Sequence, residues 1–358
     1  MSDQNGRTME KTRVTVVVSP RERFGMAKAS LESIYATAGI AFDLIYIDGR
    51  SPNYLSNWLD QASASRGFKV IRLDRFVTPN EARNLGAAAA KTEYVVFIDN
   101  DVIGADGWLA ALVKAGDETG AEIVSPLVCE GVPLHSRVHQ ATGTFARDKA
   151  AFFAAPYGER ELIDVMTFHS TPLDQVRGQL RREETDSCEF HCIMVRRSLL
   201  EKMGPLPFDE QMYATKEHID FCMTAAKLGA RPVFEPSSIV TYVFPSRKNP
   251  MTPEDTDYFL LRWSPEWQTL SLDHMQKKWG LSDSGELKDV RDPAYMRMRH
   301  YQGYIRPTVQ KMPIVSRSWK LTKAAERLMV FYINRKVKAL AAEYERQRAL
   351  SCPPAVAQ

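Results

Sequence analysis

The sequence predicts an α/β protein with a mostly parallel sheet flanked by helices, followed by a C-terminal helical extension. Three observations indicate this. Runs of β-branched residues alternate with stretches of helical periodicity from Arg13 to about residue 128. The runs are apolar throughout, as in strands that are buried on both faces. Beyond Trp279 the composition becomes strongly basic and helical. Alternation at this spacing favours parallel pairing with right-handed crossovers.

The first four predicted strands end in polar residues. VTVVVSP closes with Ser19 and Pro20, and the helix MAKASLESIYATA follows. FDLIYIDG reaches Asp48, and the alternation continues through YLSNWLDQAS, FKVIRLD, PNEARNLGAAAA and EYVVFIDND. Ligands of such sheets bind beyond the carboxyl ends of the strands. We therefore expect Asp48 and the Asp99–Asp101 segment to meet one ligand.

In the second half of the chain, the sequence predicts helices and strands at both ends but not in between. A helix from Trp108 to about Gly120 and the strand AEIVSPLV come first, but the region from Cys129 to Glu184 has little periodicity and stays unassigned. EFHCIMVRRSLLEKMG then predicts a strand that leads into a helix. The helix TKEHIDFCMTAAKLG ends at Gly229, where glycine is a common stop, and the strand RPVFEPSSIVTYVF follows.

Composition narrows the class of protein. With 44% hydrophobic and 25% charged residues, the 358-residue chain is typical of a globular protein, and a formal net charge of +3 does not indicate nucleic acid as a partner. The five cysteines are odd in number and irregularly spaced, which favours packing residues in a reducing compartment over a zinc site. The polar N-terminus and the lack of an apolar run of about 18 residues favour a cytoplasmic protein, with a peripheral position at the inner membrane face left open.

The basic segment is interpreted as an extension of a larger domain. We predict one domain over 12–279, with halves 12–128 and 129–279, and a basic amphipathic extension over 280–358. Such a helix is open to three uses: a solvated face, self-association, or contact with an anionic membrane. Its apolar positions near helical spacing are Leu321, Ala325, Leu328, Met329, Tyr332, Ile333 and Val337.

The strongest chemical feature is Asp99-Asn100-Asp101 after the strand YVVFI. Two carboxylates at positions i and i+2 of a strand end can point toward one place, where a cation offsets their repulsion. Mg²⁺ or Mn²⁺ typically combines one or two carboxylates with substrate phosphates. A polar turn is the alternative interpretation, since these residues favour turns.

Three longer blocks resemble glycosyltransferase family 2. ARNLGAAAAKTEYVVFIDNDV is similar to the family's block around its DXD motif, and VTVVVSPRERFGMAKASLESIY with LIYIDGRS is similar to its first two strands. KEHIDFCMTAAKLGARPVFEPSSIVTY resembles the acceptor-side block with its Glu-Asp-x-Asp helix. The resemblance covers about Arg13 to Trp279. It implies the GT-A fold, a nucleotide-diphosphate sugar donor and a divalent metal.

The resemblance also implies roles for single residues. Asp101 is the expected main metal ligand, and Asp99 is expected at the ribose or the metal. Asp48 would hold the base or ribose of the donor, while Arg83 and Asn84 would lie near the nucleotide and brace the metal loop. For Arg83, a salt bridge inside the sheet crevice is the alternative. The full expected donor set is Pro20, Asp48, Arg83, Asn84, Asp99 and Asn100.

The general base is sought in the Glu217–Asp220 segment. The resemblance places Glu217, His218 and Asp220 on the acceptor side, where one of them would take the acceptor proton. The family usually has Asp at the position of His218, and a histidine can also accept a proton near neutrality. In a helix Asp220 shares a face with Glu217. Helix-end and capping roles are the alternative for the segment.

A second departure concerns the metal. Where many relatives have a histidine after the last strand, this chain has Tyr242. His139 or His191 could complete the metal site, although ordinary packing is the favoured interpretation of both histidines.

These features predict an inverting glycosyltransferase that uses Mn²⁺ or Mg²⁺. The acceptor is left open among a glycan, a lipid-linked molecule and a small molecule. The alternative is a nucleotide-sugar-binding or scaffold protein on the same fold that has lost catalysis. Dinucleotide-binding and P-loop signatures are not found in the sequence, and neither is a serine nucleophile elbow.

Overall fold

The computed structural model describes residues 12–245 and 251–351. Its first part has the predicted alternation of strands and helices, with one short strand, β5, in addition. The bounds are β1 (Val14–Ser19), α1 (Phe24–Thr37), β2 (Asp43–Gly49), α2 (Asn53–Arg66), β3 (Lys69–Leu73), α3 (Pro79–Ala89), β4 (Tyr94–Asp99), β5 (Val102–Gly104), α4 (Trp108–Thr119) and β6 (Ile123–Glu130).

The unassigned region consists of short elements. Strands of two or three residues are too short to show periodicity, which explains the weak sequence signal. The bounds are β7 (Val138–Gln140), β8 (Gly143–Thr144), α5 (Lys149–Ala154), β9 (Val165–Met166), α6 (Leu173–Val176) and β10 (Glu183–Glu184).

The rest of the chain is mainly helical, with two further long strands. The bounds are β11 (Cys192–Arg196), α7 (Arg197–Met203), α8 (Glu217–Lys227), β12 (Pro232–Tyr242), α9 (Thr256–Arg262), α10 (Pro265–Trp279), α11 (Gly285–Val290), α12 (Pro293–His300), α13 (Arg306–Gln310) and α14 (Trp319–Ser351).

One large sheet contains most of the strands, in the order β10-β12-β6-β11-β4-β1-β2-β3. The β4-β1-β2-β3 part is parallel, as predicted from the alternation. β11 enters antiparallel between β4 and β6, and β12 runs parallel to β6. The sheet is therefore parallel on the side of the first four strands and mixed on the other.

Helices cover both faces of the sheet. On one face, Val16 and Val96 pack with Leu31 of α1 and Leu112 of α4. On the opposite face, alternate residues of the same strands pack against α3, α7 and α8. The predicted packing cysteines Cys129, Cys188, Cys192 and Cys222 are buried, and Cys352 lies outside the described residues.

Buried side chains cross the predicted domain boundary between residues 279 and 280. Leu287 of α11 is fully buried in a cluster with Ile219 of α8 and Met275 of α10. Farther along, Tyr344 of α14 packs on Trp267, with 4.8 Å between ring centroids. The C-terminal helices are thus part of the packed structure, and their division as a separate domain stays a prediction. Residues 352–358 of the predicted extension lie outside the described residues.

Helix α14 has apolar side chains on two sides, which differs from the single stripe predicted. Ile333 and Val337 are buried, whereas Leu328, Phe331 and Tyr332 are 71%, 69% and 59% exposed. At 3.6 residues per turn these two groups point in opposite directions. Within the described residues, no helix has both the length and the apolarity to cross a bilayer.

Close packing of α3 on β1 gives a first prediction. A Cβ added at Gly86 would lie 2.2 Å from Cγ1 of Val17, whose side chain is fully buried. Because Val17 has no room to move, Gly86→Ala should lower the free energy of unfolding by about 1–3 kcal/mol, despite the better helix propensity of alanine. Urea unfolding measures this change. Gly178→Ala is the matched control, since nothing lies within 4 Å of the added atom there. Equal stability of the two variants would contradict the packing argument.

Candidate donor and metal site

The carboxyl ends of β1, β2 and β4 form one edge of the sheet. Ser19, the last residue of β1, is in register with Asp99, the last residue of β4. The Asn100 amide donates to the Ser19 carbonyl over 3.1 Å, and the Arg21 amide donates to Asn100 Oδ1 over 2.9 Å. Asp48 lies near the end of β2 alongside. The structure therefore brings the predicted strand-end residues to one edge.

Asp99 is a buried carboxylate with two arginines and a histidine around it. Arg21 donates to its Oδ2 over 2.6 Å, and His191 Nδ1 lies 3.1 Å from the same atom. Arg83 Nη2 lies 3.5 Å from Oδ1. Burial alone would raise the pKa of Asp99, but Arg21, His191 and Arg83 together hold it at about 2. Asp99 is therefore ionised at neutral pH.

Asp101 has no such compensation. It is fully buried, and neither carboxylate oxygen has a hydrogen-bond partner within the described part of the chain. Burial and the charge of Asp99 raise the pKa of Asp101 well above its ordinary value. Ligand atoms of Asp99, Asp101 and His191 all lie within 4.8 Å of one another. Two carboxylates and an imidazole fit a Mn²⁺ or Mg²⁺ ion, which would supply the missing positive charge.

Asp48 is fully buried at the neighbouring strand end. Its Oδ2 accepts from Arg72 Nε over 2.8 Å, and its Oδ1 accepts from the Ser51 amide over 3.0 Å. Burial raises the pKa of Tyr46, and the nearby Asp48 and Asp101 carboxylates raise it further. The Tyr46 hydroxyl thus lies within electrostatic reach of both carboxylates, which places Asp48 in the same neighbourhood as the acidic pair.

Pro20, Asn100 and Asn84 of the expected donor set make different contacts. Pro20 is buried after β1, and Asn100 Nδ2 is buried without a partner in the described residues. Asn84 bonds the Phe208 backbone in both directions and also donates to Glu210 Oε1 over 3.0 Å. Its amide therefore anchors the loop before α8, and the geometry adds no support for a donor contact.

Arg83 lies fully buried beside Asp99. Its guanidinium lies 4.3 Å from the centroid of the Phe190 ring and donates to Asn80 Oδ1 over 3.0 Å. Burial lowers the pKa of Arg83 to about 10, although nearby carboxylates oppose this. Its ion pair with Asp99 is the salt bridge in the sheet crevice that was the alternative interpretation, and the expected contact with a nucleotide stays a prediction.

A buried charge network connects the site to the C-terminal helices. Glu22 accepts from Trp263 Nε1 over 2.7 Å and lies 3.3 Å from Arg262 Nε and 3.6 Å from Arg21 Nε. Arg262 Nη2 then donates to Glu217 Oε1 over 2.9 Å. Burial would raise the pKa of Glu217, but Arg262, Arg83 and Arg21 hold it below its ordinary value. The Glu217 carboxylate is therefore ionised and paired with Arg262.

The Asp220 side chain contacts a different helix from the Glu217 side chain. Its carboxylate accepts from Trp279 Nε1 over 2.7 Å and from Lys278 Nζ over 2.9 Å, both at the end of α10. Burial raises the pKa of Asp220 in spite of these donors. The structure therefore joins Asp220 to α10, and no contact of the described residues joins it to Asp99 or Asp101.

His218 is the remaining member of the predicted base segment. It is buried at the start of α8, and its Nε2 has no hydrogen-bond partner within the described residues. That nitrogen lies 3.7 Å from Glu189 Oε1 and 3.9 Å from Asp164 Oδ2. Of the three predicted base residues, His218 is the one whose side-chain nitrogen has no hydrogen-bond partner among the described residues.

The Tyr242 ring is stacked on His191, with 3.9 Å between ring centroids and 15° between ring planes. Burial raises the pKa of Tyr242. His139 contacts the His191 ring and bonds Glu130 Oε2 over 3.0 Å. The histidine that reaches the acidic pair is therefore His191, while His139 is paired with Glu130.

Sequence reasoning missed three residues of this site. Arg21 and Glu22 follow β1 directly, so the strand-end rule that selected Asp48 would also have selected them. Arg262 reaches Glu22 from 240 positions along the chain, and no local pattern signals such a contact.

The model of the family described as glycosyl transferase family 2 matches residues 15–204, more than half of the chain. The chain belongs to glycosyltransferase family 2. Two curated relatives, named pre-mycofactocin glycosyltransferase and coming from two strains of Mycobacterium tuberculosis, are 27% identical over 229 residues. The match covers 64% of this family 2 chain and 42% of each relative, so the chain spans less than half the length of the curated relatives it matches.

Several solved structures are similar to this family 2 chain in part. GalNAc-T7 with UDP, GalNAc and Mn²⁺ has a TM-score of 0.49 at 15% identity, over 85% of this chain and 56% of that one. Staphylococcus aureus TarS 1–349 with UDP-GlcNAc has a TM-score of 0.47 at 13% identity, over 94% and 92%. The mannosyltransferase PcManGT of Pyrobaculum calidifontis, with GDP-Man and Mn²⁺, has a TM-score of 0.46 at 16% identity, over 95% and 85%. The α/β sheet flanked by helices agrees with the GT-A fold expected from the sequence.

The unpaired carboxylate of Asp101 gives the second prediction. Asp101→Asn removes a buried charge without a protein partner, so the metal-free protein should gain about 1–2 kcal/mol in free energy of unfolding. Mn²⁺ should stabilise the wild-type protein, by about 2.7 kcal/mol at a hundredfold excess over Kd, and should not stabilise the variant. Thermal unfolding with EDTA or Mn²⁺ measures both effects.

Asp60→Asn is the control, because the Asp60 side chain is 57% exposed. It should keep the full response to Mn²⁺. A normal Mn²⁺ shift in Asp101→Asn would show that Asp101 is not a ligand.

Proposed function

We propose that this chain transfers a sugar from a nucleoside-diphosphate donor to an acceptor hydroxyl, with inversion at the anomeric carbon. The observation that carries the proposal is the buried, unpaired carboxylate of Asp101 beside Asp99, at the sheet edge of a family 2 chain. A divalent cation, Mn²⁺ or Mg²⁺, would be held by Asp101 with Asp99 and would offset the charge of the leaving diphosphate.

The donor side is supported by the residues around this pair. Asp48 lies at the neighbouring strand end, where the base or ribose of a nucleotide would lie. Arg262 Nη1 is buried and has no hydrogen-bond partner in the described residues, so it is available to a phosphate oxygen. The chain thus offers carboxylates to a cation and donors to an anion at one edge.

The acceptor side is assigned to His218. A single displacement needs one base for the acceptor proton. Glu217 is bound by Arg262, and Asp220 is bound by Trp279 and Lys278, whereas His218 Nε2 has no partner among the described residues. His218 is therefore the proposed base.

A donor screen followed by turnover tests this function, and it gives the third prediction. UDP- and GDP-sugars with Mn²⁺ should raise the melting temperature only when the donor fits, because ligand binding stabilises the folded state. The selected donor should release UDP or GDP slowly with water and faster with a matching acceptor. The product should have the opposite anomeric configuration to the donor, which NMR reads directly. Retention of configuration, or full turnover in Asp101→Asn, would contradict the proposal.

The alternative is a nucleotide-sugar-binding or scaffold protein on the same fold. Two departures favour it: His218 replaces the usual aspartate, and Tyr242 covers His191 where relatives have a histidine. Calorimetry with nucleoside diphosphates and Mn²⁺ distinguishes the two functions. Tight binding without turnover on any acceptor would support the binding protein.

The exposed side of α14 supports a membrane surface as an additional partner. Leu321, Leu328, Phe331 and Tyr332 are exposed there, between 48% and 71%. Cations that lie exposed beside them are Lys320, Arg327, Arg335 and Lys338. Self-association through this face would bring identical cations together in a two-fold dimer, whereas an anionic bilayer complements both the apolar and the basic groups. Such a position would suit a lipid-linked acceptor.

Vesicle co-sedimentation of the full chain gives the fourth prediction. Wild-type protein should bind vesicles that contain anionic lipid and should not bind neutral vesicles, because basic residues contribute about 1 kcal/mol each near an anionic surface. Phe331→Ser with Leu328→Ser should reduce binding at least tenfold without loss of stability, since both side chains lie in solvent. Leu206→Ser is the control, as Leu206 is 59% exposed on a distant segment. Equal binding by the double variant would contradict the membrane role.

A further inference from the structure

Glu189 is a buried carboxylate that the proposed mechanism has not used. It lies just before β11, and its Oε1 is 3.7 Å from His218 Nε2 and 3.8 Å from His139 Nε2. Its Oε2 accepts from the Phe190 amide over 3.3 Å. Ligand atoms of His139, Glu189 and His191 lie within 4.8 Å of one another. The charged neighbours of Glu189 in the described structure are therefore histidines.

Asp164 is the other carboxylate near His218, and unlike Glu189 it has a lysine partner. Lys216 Nζ donates to Asp164 Oδ2 over 2.6 Å and also to Glu286. The lysine charge thus already balances Asp164. Within the described residues no lysine or arginine makes an ion pair with Glu189. Burial opposes protonation of His139, but Glu130 and Glu189 raise the pKa of His139 to about 9. Glu189 therefore lies between this histidine and His218, and it is the carboxylate nearest to His218 Nε2.

We propose that Glu189 and His218 act as a pair: His218 takes the acceptor proton and the ionised Glu189 stabilises the imidazolium that results. This inference rests on the proposed function. The acceptor oxygen forms a bond to the anomeric carbon as the bond from that carbon to the diphosphate oxygen breaks. The acceptor proton moves to His218 Nε2, and the electron pair leaves with the nucleoside diphosphate. Glu189 stays ionised throughout and is a positioning residue.

The separation of the two side chains suits an incoming hydroxyl. At 3.7 Å the His218 nitrogen and the Glu189 oxygen are too far apart for a strong mutual hydrogen bond. An incoming hydroxyl has a single proton to donate, and His218 Nε2 would accept it. The ionised Glu189 does not share that proton, but its charge lies close enough to stabilise the imidazolium that forms.

Glu189 also accounts for the departure at position 218. A histidine that accepts a proton becomes positive, whereas an aspartate becomes neutral. A histidine base therefore benefits from a nearby carboxylate that an aspartate base does not need. In the family motif, one aspartate is both the base and the negative charge. Here His218 would be the base and Glu189 would carry the negative charge.

A double-mutant cycle tests the pair and gives the fifth prediction. With the donor identified by the screen, UDP or GDP release is measured for wild type, Glu189→Gln, His218→Asp and the double variant. Glu189→Gln should lower kcat about 10²-fold, in the range of a general-base contribution, with the KM for the donor changed less than about threefold. In the His218→Asp background the same change should be neutral or favourable, because the two carboxylates would otherwise repel each other.

Two results would overturn the inference. If Glu189→Gln lowers kcat equally in both backgrounds, Glu189 only maintains the fold; if it leaves kcat unchanged in the wild-type background, Glu189 has no role in turnover. Glu130→Gln is the matched control, since Glu130 is similarly buried and contacts the far nitrogen of His139. It should keep kcat within about threefold of wild type. A wild-type chain that releases no nucleotide from any donor would remove the transferase proposal itself, and this inference with it.

Discussion

The compensation of buried negative charge determines how this edge of the sheet is built. A carboxylate that leaves water needs a positive partner or loses its charge. Arg72 serves Asp48, Arg21 serves Asp99, and Arg262 serves Glu217. Asp101 lies among them as deeply buried and makes no ion pair with any described residue. Of these four carboxylates, Asp101 is the one without a positive partner among the described residues, and the proposed cation site rests on this difference.

The same network attaches helix α9 to the first strand and to helix α8. Arg262 at the end of α9 contacts Glu22 after β1 and Glu217 at the start of α8. Removing one partner would leave a buried charge unpaired, at a cost of about 3–5 kcal/mol. Strand ends, acceptor-side helix and C-terminal helices thus share one electrostatic unit. The apolar cluster around Leu287 and the packing of Tyr344 on Trp267 add to this attachment.

The sequence predicted the parts of the structure that depend on local pattern. Strand β4 and its Asp99–Asp101 end were predictable, because an apolar run followed by acidic residues is a short-range signal and the strand-end rule supplies the rest. The partner of each side chain was not predictable, since Arg262 and Glu189 come from distant positions. Periodicity likewise gave the apolar positions of α14 without telling which of them the core would bury. The contact of the Asn84 amide with the Phe208 backbone was not predictable either, because Phe208 lies 124 residues away.

His191 lies between the acidic pair and the groups near His218. Its Nδ1 contacts Asp99, and its ring lies among Tyr242, His139 and Glu189. A change in charge at the acidic pair therefore acts across one buried ring on the groups that face His218. In a low-dielectric interior such interactions are stronger than in water at the same distance. Binding of a cation and a diphosphate at one end would thus alter the electrostatic surroundings of the base at the other, before any acceptor arrives.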